Sequence, residues 1–251
     1  FALAGCGMFD EKPDKTKNWS AQRLYDSAKY ALNGGDYETA IDYYEKLISR
    51  YPFGLLAQQG QLEVAYAYYK FEEPASALAA TDRFIQLYPS HPNLDYVYYL
   101  RGLIRFNKGK GFLTSIVERY IPSDDSQKDT EALRESFDSF AELVAKFPSS
   151  QYTNDAKQRM VYLRNTLSKH EINVANYYME RGAYIAAANR AKFVVENYQR
   201  TPSVAQALVI MVKAYKILDL DDLSEEALEV LELNFPDHPD LSEVRNLVMS
   251  D

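Results

Sequence analysis

Cysteine is almost missing from this chain: one residue, Cys6, in 251. A disulfide framework and any CxxC zinc or redox pair are thereby excluded. Glycine and proline are sparse as well, ten each. A chain with so few breakers, whose long stretches carry Ala, Leu, Glu and Lys, reads as helical rather than as a sandwich or barrel, whose many turns need such residues. There are three histidines, His91, His170 and His238, and no HExxH, GxGxxG, P-loop or GxSxG pattern. Nothing approaches the ~18 consecutive apolar residues that span a bilayer. Basic residues are in deficit, 28 against 36 acidic for a net charge of −8. A surface of that sign repels phosphate backbones, so nucleic acid is not an expected partner.

What is present is apolar and aromatic: 47% hydrophobic residues, including 21 Tyr and 12 Phe. That suffices for one elongated or two compact domains and excludes disorder. The charge is unevenly divided. Residues 151–200 carry 8 basic and 4 acidic side chains, whereas 201–251 carry 3 basic and 11 acidic.

The lone cysteine has an informative setting. It closes the run Phe1-Ala2-Leu3-Ala4-Gly5-Cys6, apolar and ending on small residues as a secretory signal does at its cleavage site. Leu3-Ala4-Gly5-Cys6 resembles the lipobox of bacterial lipoproteins, in which the cysteine becomes the acylated first residue of the mature protein. Asp10 to Asn18 is polar and charged, the composition of a solvated tether. Acylation on several chains would hold the protein firmly, since each buried methylene contributes about 0.8 kcal/mol. Gly7 and Met8 follow the cysteine, not the Asp that the resemblance associates with inner-membrane retention, so the outer membrane is the expected location.

An aromatic residue followed by proline recurs at Tyr51-Pro52, Tyr88-Pro89, Phe147-Pro148 and Phe235-Pro236. The first two prolines are 37 positions apart, the next interval is 59, and 37 positions before Pro236 stands Gln199, preceded by Tyr198. Proline cannot continue a helix, so each site marks a helix end, with Gln199 replacing the proline in one copy and possessing no such stop of its own. Between the ends lie helical hairpins. Gly34-Gly35-Asp36 breaks one helix and caps the next; Leu24, Ala28 and Ala31 share one face, and Ala40, Tyr44, Leu47 and Tyr51 another. Small residues at the crossing let two helices approach, which is the physics of the tetratricopeptide repeat. The second copy uses Ala65, Tyr68, Ala77 and Phe84, with Pro74 opening its second helix; the fourth uses Ala175, Tyr178, Ala187, Ala191 and Val194; a capping box of Ser203 and Gln206 is expected to open the fifth.

The expected architecture is therefore all-α, a tetratricopeptide-repeat solenoid of five helix-turn-helix repeats. Residues 1–19 are expected to be the lipobox remnant and flexible tether, 20–149 repeats one to three, and 150–251 repeats four and five. The third copy carries an insertion over 107–130, between helices ending near Phe106 and starting near Glu131, which reads as a partner-binding excursion or a disordered loop.

No catalytic constellation emerges. His91-Pro92 and His238-Pro239 follow repeat ends and read as turn residues, and the carboxylate pairs Asp124-Asp125, Asp221-Asp222 and Glu225-Glu226 read as solvated faces and caps. Neither metal nor cofactor is expected. What remains is surface, because in stacked hairpins the first helices line one concave face. The repeat frame sends Gln59, Leu62, Tyr66 and Tyr69 to that face in repeat two, and Tyr96, Tyr99, Leu103 and Phe106 in repeat three. Tyrosines at such spacing exceed what a core needs, since each buried hydroxyl must find a partner. With Lys70, Arg101 and Arg105 nearby to meet a carboxylate, the groove suits an extended peptide with aromatic side chains and a free C-terminus.

Several strings carry a closer likeness. Arg50-Tyr51-Pro52-Phe53-Gly54, Gln61-Leu62-Glu63 with Ala65-Tyr66-Ala67-Tyr68-Tyr69-Lys70, Asp82-Arg83-Phe84-Ile85, His91-Pro92-Asn93-Leu94-Asp95-Tyr96-Val97 with Arg101-Gly102, and Glu180-Arg181-Gly182-Ala183-Tyr184 resemble the BamD (ComL) family of Gram-negative outer-membrane lipoproteins. The resemblance implies a non-enzymatic subunit of the β-barrel assembly machinery on the periplasmic face of the outer membrane, anchored by lipid on Cys6. It implies that the N-terminal repeats receive the aromatic C-terminal signal of unfolded outer-membrane proteins. It also implies that the C-terminal repeats dock on a POTRA domain of the insertase through or near Arg181, Tyr184 and Arg190. Accessory lipoproteins of the machinery are further implied partners, although residues 107–130 depart from the family pattern. The competing expectations are a periplasmic adaptor for peptidoglycan enzymes, which shares lipobox and scaffold without needing an aromatic groove, and a hydrolase with an unrecognised site.

Overall fold

The computed structural model describes residues 14–116 and 124–249, with the backbone alone over 108–116 and 124–129. Cys6 and the lipobox lie outside the described residues. The described chain forms helices and turns without strands, and it divides between His91 and Pro92 into two compact units. The first unit contains α1 (Ala21–Asn33), α2 (Tyr37–Arg50), α3 (Leu55–Lys70) and α4 (Pro74–Leu87). The second contains α5 (Leu94–Ile116), α6 (Asp124–Lys146), α7 (Thr153–Glu180), α8 (Tyr184–Asn197), α9 (Ser203–Ile217), α10 (Asp221–Asn234) and α11 (Leu241–Met249). Five tetratricopeptide-type hairpins result, two in the first unit and three in the second, with α11 added after the last.

The unit boundary falls earlier than the 149/150 division expected from the repeat count. The third and fourth hairpins are bonded together across that point: Ser150 Oγ donates to Asp95 Oδ2 at 2.6 Å, Thr153 Oγ1 to the Phe147 carbonyl at 2.8 Å, and the Tyr152 ring lies 5.6 Å from that of Tyr96.

The hairpin turns repeat one hydrogen-bond pattern. In the first, Asp36 N–H reaches the Ala31 carbonyl and Gly35 N–H the Leu32 carbonyl, with Gly35 at φ 80°. This is a Schellman close, in which a left-handed residue lets two N–H groups turn back on the helix end. The same pair of bonds recurs from Glu73 and Glu72, from Ala183 and Gly182, and from Leu220 and Asp219. Glu72 and Asp219 adopt φ 61° and 55°, where side chains are disfavoured. Replacing Glu72, an exposed side chain, by Gly is therefore expected to stabilise the first unit by about 0.5 kcal/mol, relief of strain exceeding the entropy that Gly gains in the unfolded chain. Gly182→Ala at φ 72° should instead cost about 1 kcal/mol. Thermal unfolding followed by circular dichroism reads both, and shifts of the same sign would refute the account.

The helix ends repeat equally well. Tyr51, Tyr88, Phe147, Tyr198 and Phe235 each donate N–H to the carbonyl four residues back. Gln199 does not disturb its junction: Thr201 N–H returns to the Tyr198 carbonyl as His91 does to Tyr88, and Arg164 donates to the Gln199 carbonyl. Asp36 caps α2 by accepting from Thr39 N–H at 3.2 Å, and Pro74 opens α4. Ala28, Ala40, Tyr44, Leu47, Ala65, Ala77 and Phe84 are fully buried in the first unit; Leu100, Leu133, Phe140, Leu143 and Leu163 lie within 1% of full burial in the second. The last repeat closes on α11, whose Leu241 and Val244 join Leu208, Val212, Leu228 and Leu231 in one cluster. A terminal cap of this kind covers the apolar edge that a next repeat would otherwise bury.

Three local expectations require correction. The segment 14–19 is no free tether: Asp14 Oδ1 accepts from Thr16 N–H at 2.9 Å, Arg50 Nη1 donates to the Thr16 carbonyl at 2.6 Å, and Tyr51 Oη to that of Trp19 at 2.9 Å. Thr16 hydrogen bonds, aided by the Arg50 and Lys46 charges, hold the Asp14 carboxyl down at about 2. The 107–130 insertion is largely a continuation of α5 to Ile116 and of α6 back to Asp124. Helices that pack side by side override the ~1 kcal/mol that each interior glycine costs. The Ser203–Gln206 capping box does not form, because Pro202 already has helical φ −59° and ψ −21° and so takes the cap position; Ser203 Oγ instead accepts from Ser168 Oγ at 2.9 Å.

Candidate functional site

In the first unit the groove residues sit on α3. Tyr66 and Tyr69 are half-buried with ring centroids 6.3 Å apart, Gln59 is half-buried beside them, and Leu62 is buried. Tyr68, on the opposite side, donates its hydroxyl to Glu45. On the same helix Glu63 collects three donors: Tyr25 Oη at 3.1 Å, Lys29 Nζ at 2.6 Å and Tyr44 Oη. Burial, then the Glu63 charge, pushes the Tyr25 hydroxyl up to about 12, and burial with the Glu63 bond raises Tyr44 further. Both remain protonated donors, so Glu63 pins α1, α2 and α3 together.

In the second unit Tyr96 and Tyr99 project from α5 toward the start of α7. Tyr99 stacks on Tyr152 at 4.7 Å and 16°, Tyr96 lies 5.6 Å from Tyr152, and Tyr99 Oη donates to Asp155 Oδ2 at 2.6 Å. Arg159 Nε donates to the same oxygen at 2.5 Å while its guanidinium lies 5.0 Å from the Phe106 ring centroid. Phe106 in turn meets Tyr162 edge-on at 5.8 Å. Burial pulls the Asp155 carboxyl upward, but the bonds from Arg159 and Tyr99 outweigh it and keep it ionised below the usual range. Burial likewise raises the Tyr99 hydroxyl.

This face was only half legible in the sequence. Tyr96, Tyr99 and Phe106 are brought together; Tyr152, Arg159 and Tyr162 complete the face and were missed. The signal was available, since Asp155, Arg159 and Tyr162 stand at four- and three-residue spacing on one helix. The two arginines assigned to the groove are held elsewhere, along the α5–α6 seam. Arg101 pairs with Glu142 and covers the Tyr98 ring at 4.7 Å; Arg105 donates to Ser139 Oγ at 2.6 Å and approaches Glu135 at 3.5 Å. Glu142, although burial pulls it up, is held low by Lys146 and Arg101.

The residues assigned to docking lie around the α7–α8 turn. Arg181 is exposed with its guanidinium 5.0 Å from the Tyr177 ring, and Tyr184 is half-buried at the first position of α8. Arg190 donates from Nη1 to Glu171 Oε2 at 2.9 Å, and Arg134 reaches Glu171 Oε1 at 3.3 Å. Glu171 is 2% exposed, so one buried carboxylate joins α6, α7 and α8. His170 beside it is held below its ordinary value by burial. His91 packs edge-on to Phe84 at 5.1 Å, and His238 Nδ1 accepts from Asp240 N–H at 3.2 Å, both within turns. No helix among the described residues is long and apolar enough to cross a membrane.

A family model described as YfiO, outer membrane lipoprotein, matches residues 17–231. The chain is 47% identical over 245 residues to outer membrane protein assembly factor BamD of Neisseria meningitidis serogroup B, covering 96% of this chain and 90% of that protein. It is 35% identical over 232 residues to the protein of that name in Vibrio cholerae serotype O1, covering 92% and 93%. Among solved structures, a thermophilic TPR protein of Thermus thermophilus aligns with 91% of this chain and 99% of its own at 11% identity and a TM-score of 0.41. The match over most of the described length, with both sets of repeats inside it, means that the chain belongs to the YfiO/BamD family of outer membrane lipoproteins.

Proposed function

We propose that this protein is a non-catalytic scaffold for the assembly of outer-membrane β-barrel proteins, held at the periplasmic face by lipid on Cys6. The observation that carries the reading is the aromatic face of the second unit, in which the Tyr96, Tyr152 and Tyr99 rings are linked through Asp155 and Arg159 to the Phe106–Tyr162 pair. An extended peptide points alternate side chains one way at about 7 Å spacing, so successive aromatic residues can each meet a ring of this face. Each aromatic pair contributes about 0.5–1.5 kcal/mol. Arg159 lies where a terminal carboxylate would take its remaining N–H groups. The Tyr66–Tyr69 pair offers a second aromatic seat in the first unit. Docking on the insertase POTRA domain is assigned to the α7–α8 turn with Arg181, Tyr184 and Arg190, and accessory lipoproteins complete the set of partners.

A labelled peptide ending in a free aromatic residue tests the substrate face by fluorescence anisotropy. Tyr96→Ala and Tyr66→Ala, made singly, show which unit binds it. At least one should weaken binding about tenfold, or ~1.4 kcal/mol, and amidation of the peptide should weaken wild type comparably. Unchanged affinity in both variants would remove the site. Capture of the full chain from mildly solubilised outer membranes, with a Cys6→Ser control, tests the larger reading: an insertase should co-purify, whereas peptidoglycan enzymes without it would establish the adaptor alternative.

A further inference from the structure

The outer positions of α10 set the last repeat apart from the other four. Counted back from the aromatic helix end at Phe235, positions −12, −5 and −2 hold Leu223, Val230 and Leu233. The same three positions hold Thr39, Lys46 and Ser49 before Tyr51, and Ser76, Arg83 and Gln86 before Tyr88. Before Phe147 they hold Glu135, Glu142 and Ala145, and before Tyr198 Ala186, Phe193 and Glu196. A position that is polar or mixed in four copies of one structural unit has no constant apolar packing duty in that unit. An all-apolar set at the fifth therefore answers to something outside it. At the hairpin turn Leu220 stands where Asp36, Glu73 and Ala183 stand in the other hairpins that make the same pair of bonds.

These side chains are open to solvent: Leu223 is 41% exposed, Val230 43% and Leu233 81%. They do not belong to the stacking face, because α11 covers that side of α9 and α10 through Leu241 and Val244, and Arg245 of α11 pairs with Glu232. At i, i+7 and i+10 they form one stripe along α10. Glu226, at i+3, lies within that stripe, and Asp222 and Glu229 border it on one side.

Charge fixes the kind of partner. Helix α10 contains six acidic residues and no Lys or Arg. The three basic residues of 201–251 are already engaged: Lys213 with Glu243, Lys216 with Asp221, and Arg245 with Glu232. Among the described residues, Asp222, Glu226 and Glu229 find no cation to pair with. An apolar stripe with a carboxylate in its middle and more along one edge repels an anionic lipid surface. It complements a helix that carries Lys or Arg within and beside its own apolar stripe.

We propose that the outer face of α10 is a docking surface for a basic amphipathic helix of a partner protein. The surface is separate from the aromatic face and from the α7–α8 turn, and the inference does not depend on the roles assigned to them. Three exposed aliphatic side chains form the apolar part of the contact, and Glu226 selects the register by meeting a cation between them.

The test uses the full chain and two synthetic helical peptides of about five turns (~18 residues). Both carry the same leucine stripe, one with Lys and one with Glu at the flanking and central positions. Titration by anisotropy is expected to show the Lys peptide binding at least tenfold more tightly than the Glu peptide. The triple variant Leu223→Ser/Val230→Ser/Leu233→Ser should lose at least tenfold for the Lys peptide, with its circular dichroism unchanged. Glu226→Lys should narrow or invert the preference between the peptides. Equal binding of the two peptides, or unaltered binding by the triple variant, would overturn the proposal. So would concentration-dependent dimerisation in analytical ultracentrifugation that the triple variant abolishes, because the occupant would then be a second copy. Binding of the aromatic-ended peptide by the triple variant is the control that separates failure here from failure of the proposed substrate site.

Discussion

Gly102→Ala is expected to lower the stability of the second unit by about 2 kcal/mol, shifting its thermal midpoint by roughly 4–8 °C. A Cβ at this position would stand 2.5 Å from Cε1 and 2.6 Å from Cδ1 of Phe140. The ring cannot swing aside freely, because Phe140 is completely buried and its ring also meets that of Tyr99 at 6.0 Å. The helices cannot part cheaply either, since Ser136 Oγ, itself buried, donates to the Gly102 carbonyl at 3.1 Å. Against this, Ala in place of an interior helical Gly gains up to ~1 kcal/mol of propensity. The steric cost wins only if the ring is as confined as its burial indicates, and a second substitution decides the point. Phe140→Leu alone should be destabilising, yet combined with Gly102→Ala the two losses should be less than additive, because the smaller side chain vacates the space that the new methyl needs. Strict additivity would mean that the close approach at Gly102 is not what limits stability.

That approach also explains why an Arg-Gly pair stands in the middle of α5. Arg101 reaches the seam carboxylate of Glu142, and the glycine beside it lets α6 come near enough for the pair to form. The sequence marks the glycine as unusual within a helix but gives no sign of Phe140, 38 positions away, as the reason. Features bounded by local backbone chemistry were legible: aromatic-proline helix ends, the glycine turns and the Asp36 cap all stand where spacing placed them. Two of the four left-handed turn positions, Glu72 and Asp219, were not visible as such, because the repeat forces onto them a conformation that their side chains do not favour. The capping box failed for a related reason. Residues of the correct type were present, but Pro202 was already helical and drew the helix start back to Ser203, which is then the first helical residue and not the cap.

Tertiary partners were the larger gap. The charged run before Trp19 has a tether's composition, yet Arg50 of α2 orders its last residues through Thr16 and Asp14. Arg101 and Arg105 lie close in sequence to the groove tyrosines, but a helix turns its side chains by about 100° per residue, and these two point at α6. Spacing puts Asp155, Arg159 and Tyr162 on one side of α7, but it takes the fold to show that this side, with Tyr152 from the turn before it, meets the face begun by α5.

Arg190→Ala is expected to change two properties together, and the coupling follows from what Glu171 needs. The Arg190 side chain is 47% exposed and returns to water at little cost, whereas Glu171 is 2% exposed and would be left to Arg134 alone at 3.3 Å. The penalty thus lies on the carboxylate, and removing one of two partners from a buried charge should cost about 2 kcal/mol. Loss of docking to an insertase POTRA domain by Arg190→Ala would then mix a missing contact with a loosened α6–α7–α8 junction. Glu171→Leu separates the two: it removes the buried charge and its demand together, so adding Arg190→Ala in that background should cost well under about 1 kcal/mol in stability. If Arg190 contacts the partner directly, Glu171→Leu should leave docking within a few-fold of wild type while the double variant loses it. Loss of docking by Glu171→Leu alone, with Arg190 still present, would instead show that the carboxylate's positioning of the guanidinium is what the partner reads. Arg181→Ala supplies the reference, because Arg181 is exposed against Tyr177. It should weaken docking with the unfolding temperature unmoved, and a drop in both would place Arg181 inside the junction rather than at the contact.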